Sequence, residues 1–410
     1  MTNRKYRTRL LAVVVADLLK AFPVVIVSGM RQTGKTTMLR QDPLFSTRRN
    51  ITLDDFSSLA AAQRDPESLV GGPGPLTIDE VQRVPELFIA IKATVDRDRR
   101  PGRFLLSGSA NLALAFRTAE TLAGRAVTLE LTGLTRRELH GGLGHRPVLV
   151  ELLAGKSPAD IPWTGVAVHA AEVAAGGLPE VTLGHPQKDR WFEGFVATYL
   201  ERDLRAYAQV GDLIAFRTLM KMAALRTGNI LNETELARDA RMPLATAHRY
   251  LGLMEAGHIL RRLQPFLRNR TTRLVKSPKL FCSDSGLAAV LAGAAGFAES
   301  PDDPLRGALL ETYVLQNLLG NVAGESPAIT PCYWNASGRY EVDFIFEQRR
   351  RAVAIEVKWA SRWNEHDLAG LRTWQETTPG GGLALLACQT RAAAQLGKNL
   401  WAVPLGDLLR

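Results

Sequence analysis

At 410 residues the chain is too long for one hydrophobic core, so two or three domains are expected. A hydrophobic fraction of 46% beside 22% charged residues is ordinary for a soluble globular protein, and no apolar run is long enough to cross a bilayer. The net charge of +10 permits a polyanionic partner without establishing one, because a basic balance also serves solubility.

Residues 1–9 are basic, and residues 10–21 are apolar but punctuated by Asp17 and Lys20. That pattern predicts an amphipathic helix rather than a secretion signal. Cys282, Cys332 and Cys388 are scattered without metal-ligand spacing, so a reducing, cytoplasmic setting without disulfides is expected. Residues 24–27, Val-Val-Ile-Val, read as a buried strand. Residues 29–36 then satisfy G-x-x-x-x-G-K-[ST] at every specified position, with Gly29, Gly34, Lys35 and Thr36 in the fixed places. Such glycines let the backbone curl until its N–H groups face phosphate oxygens, and the following helix adds its positive end. The expected nucleotide site is therefore Gly29, Met30, Arg31, Gln32, Thr33, Gly34, Lys35, Thr36 and Thr37. Lys35 would reach the β- and γ-phosphates of ATP, and the Thr36 hydroxyl would ligate Mg²⁺.

Residues 51–55 read as a second strand and residues 76–80 as a third, the latter ending in Asp79-Glu80. Across from a P-loop, Asp79 would hold the metal and Glu80 would activate the attacking water. Residues 104–109 form another apolar strand ending in hydroxyls, where Ser109 is either a γ-phosphate contact or part of a plain turn. Arg125, on the glycine turn 122–125, is either a surface cation or, in a homo-oligomer, a group reaching a neighbour's γ-phosphate. Residues 127–131 read as the closing strand. Strands alternating with helical stretches imply a parallel sheet covered by helices on both faces.

Gly29-Met30-Arg31-Gln32-Thr33-Gly34-Lys35-Thr36, Ile78-Asp79-Glu80-Val81-Gln82, Leu106-Ser107-Gly108-Ser109 and Leu122-Ala123-Gly124-Arg125 together resemble a large family of bacterial and archaeal AAA+-like P-loop ATPases. Gly176-Gly177-Leu178-Pro179-Glu180, Tyr199-Leu200-Glu201-Arg202-Asp203-Leu204, Lys276-Ser277-Pro278-Lys279-Leu280-Phe281 and Glu341-Val342-Asp343-Phe344 resemble the same family, whose C-terminal region is a domain of unknown function. The resemblance spans nearly the whole chain and implies binding of ATP and ADP.

Residues 140–163 are rich in Gly and Pro and read as a connector. Residues 166–212 read as largely helical, matching the small lid of AAA+-type ATPases. There Arg202 or Arg205 is either a nucleotide sensor or part of a solvated charge lattice. Asn232 with Glu235 three residues on makes a capping box that starts a helix ending near Ala240. A second helix, 244–256, presents Leu244, Ala247, Leu251 and Met254 on its apolar face and stops at Gly257. A hairpin over 259–275 follows, which completes the winged-helix pattern. Arg261, Arg262, Arg268, Arg270, Arg273, Lys276 and Lys279 concentrate positive charge on or beside its wing, so DNA is the expected partner.

In the last quarter, Glu311 lies on a predicted helix, Asp343 on one strand, and Glu356 and Lys358 on the next, two apart and therefore on one face. Asp followed by Glu-x-Lys, with an upstream helical Glu, resembles the PD-(D/E)xK nuclease fold. That resemblance implies Mg²⁺, or Mn²⁺, held by Glu311, Asp343 and Glu356, with Lys358 orienting a water or stabilising charge. The plain alternative is an ion pair across a hairpin. The expected architecture is α/β: a P-loop AAA+-like ATPase domain over 1–140, a linker and helical lid over 141–215, a winged helix over 216–285 and a nuclease-like α/β domain over 286–410. The functional expectation is nucleotide-coupled DNA binding or processing, or else a nucleotide-controlled switch without cleavage, and no membrane association.

Overall fold

The structure is a computed structural model that describes residues 6–108, 122–198, 212–267, 276–325, 328–336, 338–378 and 381–410. The chain divides into two compact units, Met1–Leu134 with Ala256–His258, and Thr135–Glu255 with Ile259–Arg410. Among the described residues no helix is long and apolar enough to cross a membrane.

The first unit is built on five strands in the order β2-β3-β4-β1-β5. They are β1 (Val24–Ser28), β2 (Arg49–Thr52), β3 (Leu76–Asp79), β4 (Phe104–Ser107) and β5 (Ala126–Glu130). Every pairing is parallel, with β1 between β4 and β5. The three inner strands are buried along their whole length, and their largely apolar runs end in Ser28, Asp79 and Ser107 at their C-terminal ends. Helices Phe56–Arg64, Pro66–Val70 and Glu86–Arg97 cover one core, where Phe88 and Ile91 meet Ile26, Ile78 and Leu106. The predicted amphipathic helix is Leu10–Leu18. The second strand starts two residues and ends three residues earlier than its sequence pattern suggests. It ends at Thr52 because the Asp55 carboxylate caps the next helix by accepting from the Ser58 N–H at 2.9 Å.

The second unit carries a nine-stranded sheet in the order β13-β14-β12-β11-β10-β9-β7-β8-β6. Residues 140–163, expected to be a connector, contain the helix Val148–Ala154, which buries Leu149, Val150, Leu152 and Leu153 and stops at Gly155 with φ +104°. The predicted helical region resolves into Ala170–Ala175, Pro179–Thr182 and Lys188–Thr198, and Arg202 and Arg205 lie outside the described residues. Three helices follow: Leu213–Ala224, Glu233–Asp239 and Leu244–Ala256. With β6 (Asn229–Ile230), β7 (Leu260–Pro265) and β8 (Lys279–Cys282) they make the winged-helix arrangement. The partner of β7 is Lys279–Cys282, a few residues beyond the strand expected at 273–275, and the segment 268–275 lies outside the described residues. Leu244, expected on the apolar face, is 47% exposed, whereas Tyr250 is buried in the core, 5.0 Å from Phe216 between ring centroids.

The winged-helix strands do not end at their own hairpin. β7 runs parallel to β9 (Thr330–Ala336), with Gln264 opposite Cys332 and Pro265 opposite Tyr333. The sheet continues through β10 (Tyr340–Gln348) and β11 (Arg351–Val357), then crosses by the helix Glu365–Thr377 to β12 (Leu383–Cys388). β13 (Ala394–Gly397) and β14 (Leu400–Pro404) close the far edge. Trp374 of the crossover helix is fully buried against this sheet, and Gly370 lets the helix approach β10 so closely that a Cβ there would lie 2.0 Å from the Glu341 carbonyl oxygen.

Candidate functional site

At the end of β1 the chain bends through Gly29, with φ +145°. A Cβ there would lie 2.3 Å from the Leu131 carbonyl oxygen, so only glycine fits. Gln32 and Gly34 also have positive φ, and Gly34 precedes the helix Lys35–Gln41. Inside the curl the Thr33 hydroxyl donates to the Met30 carbonyl at 2.9 Å. The Lys35 ammonium is buried and donates to the Gly29 and Met30 carbonyls, each at 2.8 Å. Arg31 is half-buried, and Thr37 faces outward from the first helical turn. A residue the sequence did not single out braces this loop. Arg9 is 3% exposed and donates to the carbonyls of Thr33 at 2.7 Å, Thr132 at 2.7 Å and Gly133 at 3.0 Å. Its only sequence signal is its place at the end of a basic run.

β3 delivers Asp79 to the same place. One carboxylate oxygen accepts from the Thr36 hydroxyl at 2.7 Å and the other from the Ser107 hydroxyl of β4 at 2.5 Å. Asp79 is buried, so both oxygens depend on these protein donors. The hydroxyl touching the carboxylate is thus Ser107, and Ser109 lies outside the described residues. Glu80 follows at φ +58°, a turn conformation rare for a residue with a side chain. Its carboxylate accepts from Gln82 Nε2 at 2.5 Å. Burial pushes its pKa above the usual carboxylate range, and the Lys35 charge offsets part of that rise. Arg125 pairs with Asp96 of its own chain at 2.6 Å and donates to the Ala123 carbonyl at 3.1 Å.

In the second unit Glu311, Asp343, Glu356 and Lys358 come together with two residues from elsewhere, Lys279 of β8 and Glu341 of β10. A bulge helps to place Asp343. Val342 pairs with Trp334 and Ile345 with Cys332, so Asp343 and Phe344 together oppose Tyr333 alone. The bulge leaves Val342 and Ile345 on the same hydrophobic core and frees Asp343 to accept from the Val357 N–H at 2.9 Å. Lys358 donates to Glu356 Oε1 at 2.8 Å. Lys279, 2% exposed, forms an ion pair with Glu341 and lies 3.7 Å from Glu311 and 3.8 Å from Asp343.

Burial raises the pKa of Glu311, of Asp343 and of Glu356, the last to about 8. Burial alone would lower Lys279 and Lys358, but the surrounding carboxylates more than offset it and both are held charged. The Oε2 atoms of Glu311 and Glu356 are buried without a hydrogen-bond donor. Among the described residues no three His, Cys, Asp or Glu side chains are placed to hold a metal ion. Lys279 also leaves the basic cluster expected on the wing, since it is buried among carboxylates. Arg262 of that cluster is neutralised by Glu255 and by Glu233 at 2.8 Å. Arg268, Arg270 and Arg273 lie outside the described residues.

Two proteins, from Mycobacterium tuberculosis and Mycobacterium bovis, both described as uncharacterized, are each 34% identical to the chain over 346 residues, or 83% of this chain and 71% of theirs. The chain belongs to their family. A family model described as an AAA domain matches residues 21–140, so the glycine curl and Asp79 lie in an AAA-type P-loop ATPase domain. Two domains of unknown function, DUF8612 and DUF4143, match residues 170–297 and 306–408. Among solved structures, the Walker-type ATPase of Pyrococcus abyssi matches with a TM-score of 0.42 and 14% identity over 70% of this chain and 99% of that one. RuvB of Thermotoga maritima matches with a TM-score of 0.29 and 18% identity over 62% and 87%. Overlaps this low carry no argument about function.

Proposed function

We propose that the chain is an ATP hydrolase whose nucleotide state governs its hold on DNA. The observation that supports hydrolysis best is the 2.7 Å hydrogen bond from Thr36 to Asp79. It brings together a hydroxyl at the start of the P-loop helix and a carboxylate two strands away, and these hard oxygens fit Mg²⁺. Thr36 and Asp79 would hold the ion, which when bound neutralises phosphate charge. Lys35 now satisfies two peptide carbonyls, and in this reading it exchanges them for β- and γ-phosphate oxygens. The backbone N–H groups of the curl bind the remaining phosphate oxygens. Glu80 takes a proton from the water that adds to the γ-phosphorus as ADP leaves. Its burial makes it a stronger base than an exposed carboxylate. Arg9 holds the curl in shape from behind.

DNA as the partner rests on the winged-helix arrangement and on the net charge of +10. The test is phosphate release with Mg²⁺, with and without duplex DNA, together with DNA retention across a salt series. Turnover stimulated by DNA and affinity falling steeply with salt are expected. Turnover indifferent to DNA, with no retention at moderate salt, would leave only the hydrolase.

For the C-terminal cluster the reading without cleavage is favoured by one observation. The Lys279 ammonium stands among Glu311, Glu341 and Asp343, where a metal ion would have to sit, so the arrangement does not fit a divalent ion. Glu311, Asp343, Glu356 and Lys358 then serve to hold the sheet and the helix Arg306–Val322 together. Supercoiled plasmid incubated with the full chain and Mg²⁺ or Mn²⁺ should stay intact. Nicking that disappears in Asp343→Ala and Lys358→Ala would restore the nuclease.

A further inference from the structure

The second unit contains a cavity of about 450 Å³ whose lining includes Arg137, His140, His145, Arg146, Lys156 and Arg410. Arg137 is the anomaly. It is 2% exposed, yet among the described residues no carboxylate pairs directly with it; the charge acting on it is that of Glu138, whose carboxylate accepts from the Thr135 N–H at 2.9 Å. Its Nε donates to the Gly142 carbonyl at 2.9 Å, but its Nη1 is buried without a hydrogen-bond partner. A guanidinium taken out of water needs a counter-charge and acceptors, and here the described residues supply one peptide oxygen and only the charge of Glu138, without a bond to it.

The two carboxylates that also line the cavity are committed elsewhere. Glu151 is paired with Lys156 at 3.1 Å. Asp407 accepts from the Thr164 N–H at 2.7 Å, the Thr164 hydroxyl at 2.6 Å and the Gly165 N–H at 2.8 Å, and it also pairs with Arg410 at 3.2 Å. Arg146 meets Glu325 only at 3.8 Å and is largely exposed. Arginine and lysine thus outnumber carboxylate in the lining.

We propose that this cavity binds a small phosphorylated molecule carrying two or more negative charges, with Arg137 at its floor and His145 and Arg146 at its mouth. A phosphate oxygen is the acceptor that the planar guanidinium matches best, and the volume accommodates a diphosphate-sized group. No residue of the P-loop takes part, so this site and the hydrolase reading stand or fall separately.

The test is calorimetric titration of the full chain carrying Lys35→Ala, which weakens phosphate binding at the P-loop. Inorganic pyrophosphate and ADP serve as separate probes, and the tighter one identifies a free diphosphate or a nucleotide as the source. One bound probe per chain is expected, with affinity at least tenfold weaker when Arg146→Gln or His145→Asn is added. Both positions lie at the mouth, so these variants should fold, and circular dichroism checks this. Arg137→Gln should weaken binding further still. The proposal is overturned if the Lys35→Ala chain binds neither probe at millimolar concentration, or if Arg146→Gln and His145→Asn bind as tightly as their parent.

Discussion

Asp79 spends both oxygens on hydroxyls, one from the P-loop helix and one from β4. Replacing it with Asn turns one acceptor into a donor aimed at Thr36 or Ser107, so Asp79→Asn should lose Mg²⁺-dependent turnover while the fold persists. Glu80→Gln should slow hydrolysis by ~10²–10⁴ yet still retain ATP, as expected when a general base is removed. A filter-binding assay beside a phosphate-release assay separates the two effects, and normal turnover in Glu80→Gln would move the base elsewhere. At the other cluster, Lys279→Met leaves Glu341, Glu311 and Asp343 without their shared cation. Breaking a buried pair from one side costs about 3–5 kcal/mol, which urea denaturation would register, and Asp343→Asn in the same chain should recover part of the loss. Glu356 gives a pH signature. Its folded pKa, about 8, stands above its ordinary 4.5, so the native state binds a proton that the unfolded state has already released between those values. The associated stability is complete below the ordinary value and is lost as pH rises through about 8. Glu356→Gln should therefore flatten the fall in urea midpoint between pH 5 and 8.

At the scale of elements, the curl between β1 and the helix Lys35–Gln41 depends on Gly29. Gly29→Ala must push a methyl group into the Leu131 carbonyl at a φ that alanine avoids, and nucleotide binding should vanish with it. Gly370 plays the matching part in the second unit. Gly370→Ala should lift the helix Glu365–Thr377 off β10 and cost about 1–3 kcal/mol, the usual penalty of overpacking. Sequence reasoning found the first of these features and not the second, for a physical reason. The curl is coded locally, by an apolar run, two glycines and Lys35-Thr36, within fourteen residues. The approach of Gly370 to Glu341 is a contact between segments far apart in the chain. The same reason explains Lys279, which reads as a wing cation among basic neighbours until residues 311, 341 and 343 fold around it. Helix Val148–Ala154 was hidden by its own punctuation, since Pro147 and Gly155 make its surroundings look like loop. Leu244 is left exposed in the first turn of its helix, while Tyr250, one turn from Ala247 and Met254, fills the apolar face against Phe216.

Over the whole chain, the expected division between a winged helix ending at 285 and a nuclease-like domain starting at 286 falls within a single sheet of the second unit. β7 and β9 share it, so the winged-helix strands and the carboxylate-bearing strands are one hydrogen-bonded body. A fragment of residues 300–410 would leave the flank of β9 unpaired, and an exposed strand edge recruits other chains. That fragment should self-associate in light scattering, whereas the full chain should not do so through this edge.

Among the described residues the join between β7 and β9 is two residues long in register, and one of the two is Pro265, which has no N–H to give. Phe266 adds one further bond, to the Tyr333 carbonyl at 2.5 Å. A ladder this short, in the middle of nine strands, is a perforation line. Amide protons of Phe266 and its neighbours should trade with deuterium sooner than those of β10 or β12, and strain arriving from the helix Leu244–Ala256 would open the sheet there before it parts β10 from β11.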